Sequence, residues 1–420
     1  MSTRMPSRRG VALVLTATGA RGAYEIGALS VVLPELERRG EAVTVLCGAG
    51  AGAVNAALLG SLAHLPAAVQ VELAIERWQR LARDDAAGSL RFSTLPLTLA
   101  RLAGDALGLP GIRAGGLLDP QPLKCYLDRH LDWDAVHRNV ASGTLDAVCV
   151  VATQLATGLP LAFVESATRG APPDDDDLRY LPTRLTSEHV QASAAIPLVQ
   201  PAAHVEEPEQ ARGWYADGAT RLTRPLAPAR ALGAQRLVVV GCEPPEAPFA
   251  ARGAPSRRLV DVIANMLDGL LVDHIAGDVQ RLAASNELAA AEGRRDGAIP
   301  YAFVAPRHGR PLGPLAQEAF GRRYGGVRAA GRPETALLGR LLRGRADTGG
   351  DLLSILALTP EHVDALVTAG RRDAARWMRS HPGVWRDATE PAVTREPADL
   401  ASFGERRRRR PRRRPAAVPA

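Results

Sequence analysis

A glycine-rich turn directly follows an apolar run near the start of the chain, and its spacing is one that enzymes use for chemistry. The run covers 42–48, and the turn contains Gly48, Gly50 and Gly52. The frame Gly-x-Ser-x-Gly is that of a nucleophile elbow, a strained strand-to-helix turn that presents a serine above a sheet. Gly50 stands at the serine position, so the turn has the spacing of an elbow without its hydroxyl.

The same turn has two other interpretations. Gly48, Gly50 and Ala53 also fit a dinucleotide-binding Gly-x-Gly-x-x-Ala turn, in which a pyrophosphate sits on a helix N-terminus. That function needs an acidic residue about 20 positions later, at the end of the next strand. Glu72 and Glu76 fall there, but within a helical pattern. A plain glycine turn that allows close helix–strand packing is the third interpretation, and it is the one that this segment alone favours.

The cysteines, histidines and acidic residues indicate neither a metal site nor a cofactor. Four cysteines and nine histidines are scattered without the spacing of metal ligands. The cysteines lie in or beside apolar runs, where buried reduced thiols are typical. The acidic loop 171–177 has consecutive carboxylates that repel one another. We therefore expect no metal and no cofactor.

Composition describes a globular protein with a basic tail. Of the 420 residues 46% are hydrophobic, and no apolar run reaches the length of a membrane-spanning helix. The net charge of +7 includes eight arginines at 406–414, so the rest of the chain carries −1. The N-terminal segment lacks the pattern of a secretory signal, which predicts a cytoplasmic location.

Apolar runs alternate with helical patterns along the first half of the chain. Continuous apolar strands separated by helices predict an α/β fold with a mostly parallel sheet covered on both faces. A strand at 159–166 is expected to form a hairpin with the strand before it. Predicted strands cover 11–17, 42–48, 145–155, 159–166, 236–243 and 299–306, predicted helices cover 23–40, 53–62, 66–83 and 257–293, and short helices are predicted within 334–380.

Four motifs follow one another in a fixed order along the chain. They are a glycine-containing loop at 17–22 followed by Ala-Tyr-x-x-Gly at 23–27, the elbow at 48–56, Ala-Ser-x-Ala-x-Pro at 192–197, and Asp-Gly-Ala at 217–219. In this order they resemble the motifs of the patatin-like phospholipase family, in its bacterial form, and the resemblance extends from about Val11 to Pro306. It implies that the loop at 17–22 is an oxyanion loop and that the fold is a three-layer α/β fold with a helical C-terminal extension.

The resemblance implies a Ser–Asp dyad that cleaves acyl esters of lipids, with no histidine. Asp217, followed by Gly218 and Ala219, matches the base of the dyad, and Gly50 stands where the nucleophile should be. The retained part of the oxyanion loop is Gly19, Ala20, Arg21 and Gly22.

Two departures from the family pattern differ in weight. Ala17 and Thr18 replace glycines of the loop, which restricts access to positive φ. A misaimed oxyanion donor costs about 3–4 kcal/mol. The missing serine is the more severe loss, because removing the nucleophile of a serine hydrolase costs roughly 10⁶ in turnover.

Other residues are poor substitutes for the serine. Cys47 lies on the strand, where its thiol should face the sheet packing, and Ser193 has the pattern of a structural residue, such as a helix cap. His189 and His204 flank that segment without a nucleophile to serve. A water molecule activated by Asp217 is chemically feasible.

The sequence therefore predicts a pseudoenzyme that binds a lipid, an acyl ester or a partner. The alternatives are an active lipid hydrolase that uses Asp217 by an unorthodox route and a dinucleotide-binding protein. The expected organisation is a tail at 1–9, a patatin-like domain at 10–306, a helical region packed on it at 307–387, and a disordered tail at 388–420.

The arginine-rich segment Arg406 to Arg414 has its own set of interpretations. It is either a low-complexity end without a role or a tether to an anionic membrane surface. Binding to nucleic acid through it would be non-specific and salt-dependent. The sequence does not indicate an oligomeric state.

Overall fold

The protein is described from a computed structural model. The residues described are 10–84, 121–166, 171–175, 177–197, 199–243, 274–294, 298–307, 312–324 and 353–386. Both predicted tails, at 1–9 and 388–420, lie outside them, as do 257–273 of one predicted helix and 334–352 of the predicted short helices.

Nine strands form one sheet within the described residues. The predicted strands are all present, with ends that differ by no more than three residues, and three further short strands follow the fourth. The strands are β1 (Val11–Leu15), β2 (Val43–Ala49), β3 (Ala147–Gln154), β4 (Pro160–Glu165), β5 (Arg179–Pro182), β6 (Ala203–Val205), β7 (Gly213–Asp217), β8 (Arg236–Val240) and β9 (Tyr301–Val304).

The sheet is mostly parallel, as predicted. Its order is β5-β4-β3-β2-β1-β8-β9, and parallel pairs join β3 to β2, β2 to β1, β1 to β8, and β8 to β9. Strand β4 is antiparallel to β3, which confirms the expected hairpin. The inner strands are buried along nearly their whole length, as their continuous apolar sequence requires.

Strand β7 approaches the end of β2 because β2 is shorter than β3 and leaves part of the edge of β3 unpaired. The last residue of β2 lies opposite Val151, and β7 then pairs antiparallel with the next residues of β3. Ala152 bonds to β4 on one edge, so β7 occupies the edge that β2 has just left. The two strands therefore approach each other end to end, and the last residue of β7 is Asp217.

Helices cover both faces of the sheet, so the fold has three layers. One apolar cluster contains α1, α2, α3 and α10 with one face of the sheet, and a second contains α7 and α8 with the other. The helices are α1 (Gly22–Arg38), α2 (Ala51–Leu62), α3 (Ala67–Arg83), α4 (Gln121–His130), α5 (Trp133–Ala141), α6 (Ser187–Ala194), α7 (Ala227–Ala231), α8 (Ile275–Ala291), α9 (Gly313–Tyr324) and α10 (Pro360–Ser380).

One prediction for the C-terminal part is correct only in part. Short helices were expected within 334–380, and 353–356 is a short helix, whereas α10 is a single helix of 21 residues. Thr359 caps its N-terminus, and a buried face built from Val363, Leu366 and Val367 packs against α1. The sequence spacing of those apolar residues is continuous, so no break divides the helix.

Candidate active site

Gly50 adopts the strained conformation of a nucleophile elbow between β2 and α2. Its φ is 62° and its ψ is −135°, a region that side chains other than glycine rarely occupy. It is also the N-cap residue of α2. The backbone therefore makes the sharp strand-to-helix turn that the spacing of the three glycines predicts.

The glycines on either side of Gly50 allow close backbone packing. A Cβ at Gly52 would overlap the carbonyl group of Leu15 on β1, and a Cβ at Gly48 would overlap the backbone of Gly52 and Ala53. Because these neighbours are backbone atoms, no side-chain rotation relieves the overlap. The interpretation as a packing turn thus accounts for Gly48 and Gly52, while the conformation of Gly50 is that of an elbow.

Asp217 faces Gly50 at the end of β7. A Cβ built on Gly50 lies 3.3 Å from both carboxylate oxygens of Asp217. The Oδ1 atom accepts a hydrogen bond from the backbone N–H of Ala219 at 2.8 Å, whereas Oδ2 is buried without a partner among the described residues. Burial raises the pKa of Asp217 to about 7, against the lowering effect of the Ala219 hydrogen bond.

Ser193 holds the elbow in place, and its position corrects the idea of a helix cap. It lies near the C-terminal end of α6, fully buried. Its hydroxyl donates to the carbonyl oxygen of Val151 at 2.5 Å and accepts from the N–H of Gly50 at 3.1 Å. Both capacities are used within the fold, so this hydroxyl is not available as a nucleophile.

The oxyanion loop retains its glycine where a positive φ is needed. Gly19 has φ of 58°, while Thr18 is extended with φ of −110°. Ala17 also does not have a positive φ. The replacement of glycine by Ala17 and Thr18 therefore causes no backbone strain, contrary to the concern raised by the sequence.

The carbonyl group of Ala17 is directed toward the elbow. It accepts a hydrogen bond from the N–H of Gly52 at 3.2 Å, and its oxygen lies 2.7 Å from the Cβ built on Gly50. Such a contact is too short for a real Cβ atom. A side chain at position 50 therefore requires a shift of the loop.

A buried polar network supports the loop, and sequence reasoning missed it. The fully buried Glu25 accepts from the N–H of Ala17 at 2.8 Å and from the side chain of Asn55 at 2.7 Å. The indole of Trp78 donates to Asn55 at 2.7 Å. The signal was present, since Glu25 and Asn55 are polar residues among small apolar ones in α1 and α2. Buried polar groups are retained when each is hydrogen-bonded.

An apolar cavity of about 70 Å³ lies beside the elbow. It borders Gly19 and Ala20 of the oxyanion loop and Ala51 of the elbow. Within the described residues, the N–H groups of these three residues have no acceptor. Asp217 does not line the cavity. The remaining lining residues are Val54, Trp78, Leu81, Leu123, Ala194, Ile196, Val199, Gln200, Ile355, Leu356 and Leu358.

The other candidate nucleophiles and bases are engaged elsewhere. Cys47 is buried opposite Cys149 on β3, and hydrogen bonding to Cys149 together with burial raises the pKa of Cys47. His189 donates to the carbonyl oxygen of Glu207, and burial lowers the pKa of His189. His204 is half-buried on β6 and contacts Glu206.

The remaining sequence interpretations find little support at this site. Glu72 and Glu76 lie within α3 and not at a strand end, where a dinucleotide ribose would need a carboxylate. No cluster of three or more metal-ligating side chains occurs in the part of the chain that the structure describes. Among the same residues, no helix is long and apolar enough to cross a membrane.

The fold and the site define the class of the protein. A mostly parallel sheet, a glycine elbow after β2 and an aspartate at the end of β7 form the framework of an α/β acyl hydrolase. The model of the patatin-like phospholipase family matches residues 13–230, just over half of the chain. The chain therefore belongs to the patatin-like phospholipase family.

Comparison with individual proteins adds a distant structural likeness. The chain is similar to VipD from Legionella pneumophila, with 11% sequence identity and a TM-score of 0.31. The match covers 90% of this chain and 67% of that chain. No curated protein is significantly similar to this chain.

Proposed function

We propose that the protein is a pseudoenzyme that binds an acyl chain or acyl ester in the cavity beside the elbow and does not hydrolyse it. The observation that carries this proposal is Gly50, which has the elbow conformation and faces Asp217 but supplies no hydroxyl. Without a nucleophile, no acyl-enzyme forms.

The hydroxyl groups near Asp217 are poor substitutes for the missing nucleophile, because each is already hydrogen-bonded within the fold. The hydroxyls of Thr153 and Thr220 both donate to the backbone carbonyl oxygen of Asp217, at 3.0 and 2.7 Å. The hydroxyl of Ser193 is bound to Val151. Each of these hydroxyls therefore has a structural hydrogen bond that attack on an ester would break.

The cavity supports acyl binding. Its lining is almost entirely apolar, which suits a hydrocarbon chain. The backbone N–H groups of Gly19, Ala20 and Ala51 at its border are donors for an ester carbonyl. Membership of a family of lipid acyl hydrolases favours the same class of ligand.

Substitution at position 50 tests the loss of hydrolysis. The wild type should neither hydrolyse acyl esters above a buffer control nor be labelled by a fluorophosphonate probe. Gly50→Ser should be labelled weakly at the introduced hydroxyl, because the new Cβ meets the carbonyl oxygen of Ala17 at 2.7 Å. Gly50→Ala is the matched control, since it adds the same Cβ without a hydroxyl. Labelling of an elbow residue in the wild type would contradict the proposal.

A triple variant distinguishes the effect of the missing serine from the effect of the replaced loop glycines. Ala17→Gly and Thr18→Gly, combined with Gly50→Ser, should exceed the single change because a more flexible loop can withdraw the Ala17 carbonyl. Adding Asp217→Asn to the triple variant should remove the gain. A folded triple variant that stays inert would show that the missing serine is not the only lesion.

Trp78 provides a direct test of acyl binding. Its ring lines the cavity, so a short brominated acyl ester bound there should quench its fluorescence. Trp78→Phe should lose this part of the quenching, whereas Trp214→Phe, on an exposed hairpin, should not. Quenching that is unchanged in Trp78→Phe would place the ligand elsewhere.

Slow hydrolysis by water is the second candidate function. The pKa of Asp217 at about 7 suits a general base, and its Oδ2 atom has no partner among the described residues. Against it, Asp217 is fully buried and the Ala17 carbonyl fills the space beside it. Wild-type hydrolysis that disappears in Asp217→Asn would favour this candidate.

Contact of the tail with an anionic membrane surface is a separate proposal. Eight arginines at 406–414 would contribute about 1 kcal/mol each near such a surface before entropy and salt are counted. Sedimentation with anionic and neutral vesicles should distinguish the full chain from a version that ends at Glu405. Equal recovery of both with anionic vesicles at low salt would eliminate the tether.

A further inference from the structure

Residues 353–358, here called the roof segment, close the cavity from the side of the C-terminal region. Ile355, Leu356 and Leu358 line the cavity together with Gly19 and Ala20 of the oxyanion loop. The contact with the loop is direct, since a Cβ at Gly19 would overlap the carbonyl oxygen of Ile355. The roof segment therefore lies against the loop that would hold the carbonyl group of an acyl ligand.

Ser354 fastens the roof segment on two sides. Its hydroxyl accepts a hydrogen bond from Nε of Arg21 at 2.8 Å, and both side chains are buried. Its carbonyl oxygen accepts from Nε2 of His362, on α10, at 3.3 Å. The oxyanion loop and the C-terminal helix are thus joined through one residue of the roof segment.

The middle of the roof segment packs apart from the main core. Ile355 and Leu356 form a small apolar cluster with Ile196 and Val199, whereas Leu358, at the end of the segment, packs against one of the two large clusters. Segments with few buried apolar contacts are those that open locally at low cost. Moving Ile355 and Leu356 about Leu358 would leave the sheet and its covering helices intact.

The size of the cavity limits what it can hold. Its volume of about 70 Å³ is less than half of the roughly 150 Å³ of an engineered cavity that binds benzene, and one side of it is open to solvent. The end of a short acyl chain fits such a space with the rest of the ester at the opening, whereas most of a chain of lipid length does not. A long chain needs more room, and the roof segment is the wall whose Ile355 and Leu356 pack outside the two large clusters.

We propose that the roof segment is a displaceable lid and that Ile355 and Ser354 determine the length of acyl chain that the cavity accepts. This inference rests on the proposed acyl-binding function. The apparent affinity for a long chain is reduced by the fraction of molecules in which the lid is open. Weakening the lid should therefore favour long chains selectively.

The test compares brominated methyl esters of butanoic and hexadecanoic acid by quenching of Trp78 fluorescence in the full chain. Ser354→Ala removes the hydroxyl that holds Arg21, and Ile355→Ala shortens the lid side chain. Ser354→Ala should raise the affinity for the long ester by about threefold to tenfold, which corresponds to the loss of one hydrogen bond. Ile355→Ala should raise the same affinity, and both variants should change the affinity for the short ester little. Ser380→Ala is the control, because its hydroxyl bonds to the carbonyl oxygen of Arg376 at the end of α10, away from the cavity.

Amide hydrogen exchange gives a second measurement that does not depend on a variant. The long ester should increase exchange at 353–358 in the wild type, and the short ester should not. If the short ester binds but neither the affinity ratio nor the exchange changes, the lid is wrong and acyl binding stands. If neither ester binds the wild type or the two folded variants, acyl binding is wrong and the lid is overturned with it.

Discussion

The elbow and the C-terminal region are held in place by different means. At the elbow, the close contacts are between backbone atoms, as where Gly52 meets the carbonyl group of Leu15. The C-terminal helix α10 is held by side chains as well. Tyr24 donates to the fully buried Asp373 at 3.1 Å, and Arg376 donates to the same carboxylate at 2.7 Å.

This difference explains why the elbow has its shape without a serine at position 50. Gly52 is required by the turn itself, because a Cβ there would overlap backbone atoms, and Gly50 adopts the positive φ of the turn without strain. A side-chain contact such as that of Asp373 disappears when either partner changes. An intact elbow is therefore evidence of the fold and not of hydrolysis, and each prediction below tests how far the two regions are independent.

The largest expected effect is the pH dependence that Asp217 imposes on the elbow. Its folded pKa of about 7 lies above its unfolded value of 3.8, so the folded state favours the protonated acid. The contribution of Asp217 to stability is therefore fully present below about pH 4 and is lost as the pH rises from there to about 7, by about 4 kcal/mol in total. Chemical denaturation across this range should show Asp217→Asn without that loss.

Exposed Asp128 supplies the control for this measurement. Asp128→Asn, on the surface of α4, should leave the difference between acid and alkaline stability as in the wild type. A wild type that is equally stable relative to Asp217→Asn at pH 4 and pH 8 would contradict the raised pKa.

The second prediction breaks the backbone contact of the elbow. Gly52→Ala should destabilise the protein by about 3 kcal/mol, because its Cβ overlaps the carbonyl group of Leu15 and neither backbone can rotate away. Gly60→Ala, in the same helix, is the matched control. Its Cβ would meet only side-chain atoms at 3.5 Å or more, so it should be neutral or stabilising. Equal stabilities of the two variants would contradict the packing described for the elbow.

Local patterns were sufficient to predict most of the fold. Continuous apolar runs identified the long strands, and the turn spacing identified the elbow. Strands β5, β6 and β7 were not predicted because each is short and β5 and β7 carry polar or exposed residues, as in the sequence Gly213–Asp217. Their formation depends on pairing with β3 and β4, a tertiary effect that sequence propensity does not contain.

The site was predictable only in part, for the same reason. Motif positions brought Gly50 and Asp217 into one hypothesis, and their end-to-end approach follows from strand register. The direction of the Ala17 carbonyl, the bond from Gly50 to Ser193 and the roof over Gly19 all depend on residues distant in sequence. No local pattern contains such contacts.

The third prediction tests whether the packing of α10 against α1 can be weakened without affecting the sheet. Gly370 lies against α1, where a Cβ would overlap the carbonyl oxygen of Tyr24. Gly370→Ala should force α10 away from α1 and destabilise their contact by about 2 kcal/mol. Amide exchange should increase across 360–380 while β1, β2 and β3 stay protected. Gly321→Ala, in α9 with nothing near its Cβ, is the control.

The smallest expected effect compares one helix cap in each region. Asp132 accepts from the N–H of Ala135 at 2.9 Å to cap α5, and Thr359 accepts from the N–H of His362 at 3.3 Å to cap α10. Replacing either residue by alanine should cost about 1 kcal/mol. If the regions are independent, Asp132→Ala should lower the stability of the whole domain, whereas Thr359→Ala should increase exchange only within α10 and the roof segment. If both variants raise exchange in every strand equally, the two regions unfold as one unit, and the roof segment has no separate freedom to open.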